Sequence, residues 1–211
     1  MRWEDLLERF GAQPLFHTSH LSVFPDPKAS VLVQLSRWVE SGKLLQIRRG
    51  WYLIEKPYRA RDVSDAAIAN AVIRPSYLSL EWALQYHALI PEATFQPTSI
   101  TTLRGIRFEA LDRLFLYHHV ARGFFHGYGS YDYAGEKIAC ASPEKALLDL
   151  IYLFVQRNAF SLLWLEGLRL QNLDRFDVKE LRRQSVGVRK PGFARAVSDA
   201  ADYLAEARRA P

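Results

Sequence analysis

A helical period of about 3.6 residues, applied to a predicted helix over residues 29–41, gathers Ser30, Gln34, Arg37 and Ser41 on one side, with Lys28 just ahead of its first turn. Every one of these side chains makes hydrogen bonds. In a DNA major groove, glutamine pairs with adenine edges and arginine with guanine edges, while lysine and free helix amides suit phosphate oxygens. A polar stripe alone argues little, because every surface helix has one. The stripe gains weight from the residues that follow it. Two strand-like runs, residues 44–48 and 51–54, are joined through Arg49-Gly50, a spacing suited to a tight hairpin. Arg48 and Arg49 sit at that turn, where paired cations displace counterions from a phosphate backbone. The roles expected are base edges for Gln34 and Arg37, and phosphates for Lys28, Ser30, Arg48 and Arg49.

Other reactive residues are scattered. Of the six histidines, His17 and His20 are three apart and His118 and His119 adjoin, but none lies in a run that completes a metal-ligand set. Neighbours on a strand point to opposite faces, so His118 and His119 do not share an ion. The single cysteine, Cys140, in an Ala-Cys-Ala-Ser context, reads as a packing residue. There is no phosphate-cradling glycine loop, GxSxG elbow or HExxH helix. Lys145 and Asp149 have i, i+4 spacing, which suits either a structural pair or a partner surface. No catalytic residue, cofactor or metal site is therefore expected, and the chain reads as not an enzyme. The enzymatic alternative, chemistry on a nucleic acid or nucleotide, would have to use the region of His118 and Asp132.

These residues need elements to carry them. The first part reads as helices over residues 2–10, 18–24 and 29–41, the last stopped by Gly42, followed by the hairpin. That order is the winged helix-turn-helix arrangement, in which the third helix enters the groove and the hairpin grips the backbone. At 100° per residue, Leu32, Leu35 and Val39 form the face of the third helix expected to meet the core. Residues 55–61 contain a proline and a cluster of charge and read as a linker, separating a first domain at 1–56 from a second at 62–211.

The second domain opens with a helix over 62–72 and another after Ser79, whose hydroxyl is expected to cap it. Strand-like runs follow at 98–103, 106–109, 114–120, and a hairpin of 128–133 with 137–141. Ser142-Pro143-Glu144-Lys145 then opens a helix running to about residue 157, with serine as cap and proline in the first turn. Helices over 177–184 and 192–208 end the chain. The fold class expected is α+β: a winged helix, then a mixed α/β domain with a helical C-terminal end.

Charge agrees with that division. The net charge is +5, yet residues 1–60 hold 9 Lys+Arg against 6 Asp+Glu, residues 61–174 hold 10 against 12, and residues 175–211 hold 9 against 5. The C-terminal excess, Arg182, Arg183, Arg189, Lys190, Arg195, Arg208 and Arg209, forms a possible second basic surface or the solvated side of an amphipathic helix. The best candidate for an apolar span, residues 146–155, is far short of the roughly 20 residues a membrane crossing takes. The N-terminus lacks the apolar stretch of a secretory signal, so a cytoplasmic location without membrane contact is expected.

Three segments resemble the AbiEi family of antitoxins from the AbiE, or type IV, toxin–antitoxin systems: GKLLQIRRGWY at 42–52, PSYLSLEWAL at 75–84 with YHALI at 86–90, and ASPEKALLDL at 141–150. The resemblance implies an N-terminal winged helix that binds double-stranded operator DNA and represses its own operon. It also implies a second domain that counteracts a cognate nucleotidyltransferase-like toxin. Ala88 stands where the family pattern leads us to expect glycine, Ala146 where threonine is usual, and Trp51 where a smaller residue is common. The toxin half of such systems has a Gly-Ser pair followed about ten residues on by paired carboxylates; Gly129-Ser130 here is followed by Ala139 to Ser142, unlike the toxin. The alternative within the same class is a stand-alone transcriptional regulator without a toxin.

Overall fold

The computed structural model describes residues 1–208, so Arg209 of the basic C-terminal end lies outside the described residues. Helix α1 (Trp3–Phe10) buries Leu6 and Phe10, one turn apart, and is opened by Asp5, whose carboxylate accepts the Arg2 amide at 2.9 Å. A three-residue strand β1 (Leu15–His17), absent from the sequence reading, comes next. The expected second helix is a 3-10 turn, Thr18–Val23. Helix α2 (Lys28–Glu40) ends on Gly42 at φ +71°, with Lys43 and Gly42 amides donating to Trp38 and Val39 carbonyls. That left-handed C-terminal cap favours glycine because a Cβ is disfavoured there.

Strands β2 (Leu44–Arg48) and β3 (Trp51–Ile54) form the expected hairpin. Its turn residue Gly50 has φ +83°, and a Cβ there would lie 2.6 Å from His17 Nε2, so the position demands glycine twice over. With β1 they make an antiparallel sheet of order β1-β3-β2. Leu6, Phe16, Leu35, Trp38, Leu44 and Ile54 belong to the core cluster that joins this sheet to α1 and α2.

Helix α3 (Asp65–Val72) starts later than expected because Ser64, three residues into the predicted helix, caps it by accepting the Ala67 amide at 3.1 Å. Strand β4 (Ser76–Leu78), α4 (Leu80–Tyr86), β5 (Thr98–Thr101), β6 (Ile106–Ala110), β7 (Arg113–His119), β8 (Tyr128–Tyr133) and β9 (Glu136–Ala141) follow. They build a mixed sheet of order β6-β7-β5-β4-β9-β8, parallel at β5/β7 and β4/β9 and antiparallel elsewhere. Helix α5 (Pro143–Gln156) begins as the sequence predicts, Ser142 Oγ accepting the Lys145 amide at 3.2 Å. Helices α6 (Leu162–Gly167), α7 (Val178–Ser185) and α8 (Phe193–Ala207) complete a mixed α+β fold.

The two sheets are tied together. Ile47 and Leu53 pack into the larger core, and Glu136, in the β8–β9 hairpin, accepts from Arg61 Nη1 at 3.1 Å and from Ser64 N at 2.9 Å. No helix among the described residues is long and apolar enough to cross a membrane.

Candidate nucleic-acid interface

The side chains singled out on α2 are positioned by which face the helix buries. Expected were Leu32, Leu35 and Val39; buried are Val31, Leu35 and Trp38, while Leu32 is 41% exposed and Val39 half-buried. Trp38 decides this. Its indole packs edge-on against Trp3 at 5.0 Å, and an aromatic of that size gains more from burial than Leu32 does. At 100° per residue the buried face turns by roughly 65° from the one expected.

That rotation re-sorts the stripe. Lys28, Ser30, Arg37 and Ser41 are exposed, but Gln34 moves to the flank and is half-buried. Val33, Ser36 and Glu40 take the centre of the outward side, Val33 with 53% of its surface exposed. The outward side of α2 is covered by no other element among the described residues.

At the hairpin turn Arg49 is exposed and Arg48 half-buried, its guanidinium 5.5 Å from the centre of the Phe108 ring on β6. Arg48 is thus drawn toward the larger sheet, a contact between sequence-distant strands that the hairpin residues themselves do not announce. None of Lys28, Arg37, Arg48 and Arg49 forms an ion pair among the described residues.

Behind the turn lie His17 and His20, which belong to no metal-ligand set among the described residues but do shape the hairpin's neighbourhood. His17 Nδ1 accepts the Ser19 amide at 3.2 Å, and His20 Nδ1 accepts the His17 amide at 3.3 Å, so the two imidazoles cap the 3-10 turn with lone pairs. The Thr18 amide donates to the Gly50 carbonyl at 2.8 Å, and the Trp51 ring lies 5.1 Å from His17. Burial, and then the neighbouring His20, hold the His17 pKa below its ordinary value. The signal was the His-x-x-His spacing, which geometry resolves as a mutual cap. Between this turn and the start of α2 opens a cavity of about 560 Å³ lined by Ser19, Ser22, Phe24, Asp26, Lys28 and Leu32.

The second basic surface is largely self-neutralised. Arg182 pairs with Asp202 at 2.7 Å, Arg183 with Glu180 at 2.6 Å, and Arg195 lies 3.9 Å from Asp199. Lys190 sits 3.7 Å from the Tyr152 ring centre, leaving Arg189 without an ion pair among the described residues. The structure therefore gathers no continuous field of unpaired charge from Arg182, Arg183, Arg189 and Lys190.

The densest polar cluster is elsewhere, and sealed. Lys145 Nζ meets Asp149 Oδ1 at 2.8 Å with both side chains fully buried, so the pair does not lie on a partner surface. Tyr77 and Ser79 hydroxyls donate to Asp149 Oδ2 at 3.0 and 2.7 Å, and Lys145 Nζ donates to the Phe124 carbonyl at 2.8 Å. Ser79 thus does not cap α4 with its hydroxyl, as had been expected; a carboxylate seventy residues away is the stronger acceptor. Burial pushes the Asp149 carboxyl up and the Lys145 ammonium down, each partner's charge pulling the other way.

His118 and Asp132 are not brought together. Their strands, β7 and β8, are separated by β5, β4 and β9, which is four strand spacings or roughly 19 Å. Cys140 is fully buried, its thiol pushed up to about 12 by burial. No group of three or more His, Cys, Asp or Glu among the described residues is placed to hold a metal ion. Compared with known proteins, the chain matches no family and no curated protein.

Proposed function

We propose that the protein is a DNA-binding transcriptional regulator whose N-terminal residues act as a winged helix on double-stranded operator DNA. The observation that carries this reading is the order α1, β1, 3-10 turn, α2, β2, β3 with sheet order β1-β3-β2, together with an uncovered outward side on α2 beside an exposed Arg49. The helix after the turn lies in the major groove and the hairpin rests on the backbone. Arg37 reads guanine, Val33 meets thymine methyls, and Gln34 reaches adenine only from the flank. Lys28, Ser30 and Arg49 hold phosphates, and Arg48 divides its charge between DNA and the Phe108 ring.

The antitoxin role of residues 62–211 rests on the resemblance of the three segments quoted above. In that reading the protein is a cytoplasmic autorepressor that counteracts a nucleotidyltransferase-like toxin, and its own chemistry is binding rather than catalysis. A stand-alone regulator would bind DNA in the same way, so the two are separated by growth. Co-expression rescues cells that make the toxin encoded beside it; absence of rescue leaves the stand-alone regulator.

Fluorescence anisotropy with the DNA upstream of its own gene tests the interface. Arg37→Ala is expected to lose about 1–3 kcal/mol of binding and to relax sequence preference. Arg49→Ala weakens all sequences alike and lowers the salt slope by about one. Unchanged affinity in both variants refutes the winged-helix assignment.

A further inference from the structure

The larger sheet ends on β8, and the pairing of β8 with β9 fixes which of its backbone groups look outward. The Asn70 side chain takes both the amide and the carbonyl of Ala139, at 2.6 and 3.3 Å, on the side of β9 turned away from β8. Ala139 stands opposite Ser130. That pair therefore exchanges no hydrogen bonds, and the N–H and C=O of Ser130 point off the sheet, as do those of Tyr128 and Asp132 two residues to either side. The Tyr86 hydroxyl donates to the Asp132 carbonyl at 2.9 Å. No other protein group among the described residues meets the outward backbone groups of Tyr128 and Ser130. The strand, YGSYDY, has neither the lysine nor the proline that commonly blunts an exposed edge.

Pleating puts Tyr128, Ser130 and Asp132 on one face of β8 and Tyr131 and Tyr133 on the other. A hollow opens beside the strand on each face. One, of about 540 Å³, is lined by Asn70, Arg74, Phe125, Tyr128 and Lys137; the other, of about 400 Å³, by Tyr86, His87, Tyr131 and Arg175. Lys137 is held by Asp132 at 2.7 Å, whereas Arg74 and Arg175 have no ion-pair partner among the described residues.

We propose that β8 is a docking edge for an extended acidic segment of a partner protein, which joins the sheet as an added strand. Backbone bonds to Tyr128 and Ser130 supply affinity, and the alternation of the incoming strand supplies selectivity. Its carboxylates fall toward Arg74, the cation of that face without an ion pair among the described residues, and its apolar side chains fall against Tyr86, His87 and Tyr131, with Arg175 at the rim. This goes beyond the DNA-binding reading and stands independently of what α2 contacts.

The test uses the whole protein and a fluorescent synthetic peptide as long as β8 that alternates glutamate with valine, alongside its lysine–valine counterpart. The glutamate peptide is expected to bind with Kd on the order of 10–100 µM, at least tenfold tighter than the lysine peptide, and to protect the Tyr128 and Ser130 amides from hydrogen exchange. Ser130→Pro removes an outward N–H at an edge, where proline is tolerated, and lowers affinity at least tenfold. Arg74→Glu inverts the preference between the peptides. No binding up to about 1 mM, equal binding of both peptides, or unchanged exchange at Ser130 in the unaltered protein overturns the proposal, and the exchange measurement holds even if the proline variant fails to fold. Protection of the same amides that grows with protein concentration alone assigns the edge to a second copy of the chain and overturns it as well.

Discussion

Replacing Lys145 with methionine keeps the length of the side chain and leaves Asp149 as an unpaired carboxylate in the core. In the native protein the two charges, 2.8 Å apart, attract by about 6 kcal/mol at an effective dielectric of about 20, against a desolvation penalty of several kcal/mol for each ion. The pair as a whole is therefore close to neutral for stability, but either half alone is expensive. The variant has one escape, protonation of Asp149, and its limit follows from the ordinary aspartate pKa of about 3.9: about 4 kcal/mol at pH 7 and about 1.5 kcal/mol at pH 5. Losing the bond to the Phe124 carbonyl adds about 1 kcal/mol at either pH. The sign follows from linkage. A carboxyl raised in the folded state contributes stability fully present below its unfolded pKa and lost as pH rises through its folded one, so the defect deepens from pH 4 toward 7. Urea unfolding followed by tryptophan fluorescence measures this, and a loss of about 5 kcal/mol is a large share of the 5–15 kcal/mol typical of a domain. Adding Asp149→Asn restores a neutral acceptor for Tyr77 and Ser79 and recovers part of the loss. A defect under about 1 kcal/mol, or one that does not change with pH, refutes the buried-charge account.

Ala88 follows α4 at φ +58°, with Leu89 and Ala88 amides donating to Leu84 and Gln85 carbonyls in the same cap geometry that Gly42 serves after α2. Ala88→Gly relieves about 1 kcal/mol of left-handed strain, partly offset by a freer unfolded chain, for a gain of about 0.5 kcal/mol and a melting temperature higher by about 1–2 °C; a lower one counts against the cap. His17, held below its ordinary pKa by burial and then by His20, contributes stability that is fully present above its unfolded value of about 6.5 and is lost as pH falls from there through its lowered folded value. His17→Asn keeps an acceptor for the Ser19 amide without titrating, so its urea midpoint is expected to change less between about pH 5.5 and 7.5 than that of the parent protein. Glu136→Ala removes the acceptor of the Ser64 amide and of Arg61 Nη1, while Arg61 Nε keeps the Ala12 carbonyl, lowering stability by about 2 kcal/mol and speeding tryptic cleavage after Arg61; equal cleavage rates contradict the clasp.

What could be read in the sequence was what is local. The start of α5 is written in four consecutive residues, and the β2–β3 hairpin in its two-residue turn, Arg49-Gly50; the β8–β9 hairpin is legible as well, but its turn is the shorter Ala134-Gly135, and Glu136, expected in the loop, opens β9. Strands β1 and β4 have three residues each, too few for a period, and exist because β3 and β5 offer them partners. The Ser79 hydroxyl illustrates the same limit in chemistry. Serine before a helix is a good cap by every nearby criterion, and only the fold reveals that Asp149 claims it.

On α2 the class of the element was legible and its rotation was not. Counting Leu32, Leu35 and Val39 as equal apolar residues gives one face; weighing Trp38 by the area it buries against Trp3 gives another, roughly 65° away. For any ligand that α2 meets, this turn matters more than the polar count. The outward side contains one cation, Arg37, and one acid, Glu40, around an exposed Val33, and Gln34 no longer stands at its centre. With so little net charge on the helix itself, the proposed attraction to a phosphate backbone rests on Lys28 at its start and on Arg48 and Arg49 at the hairpin, and the proposed sequence preference on Arg37.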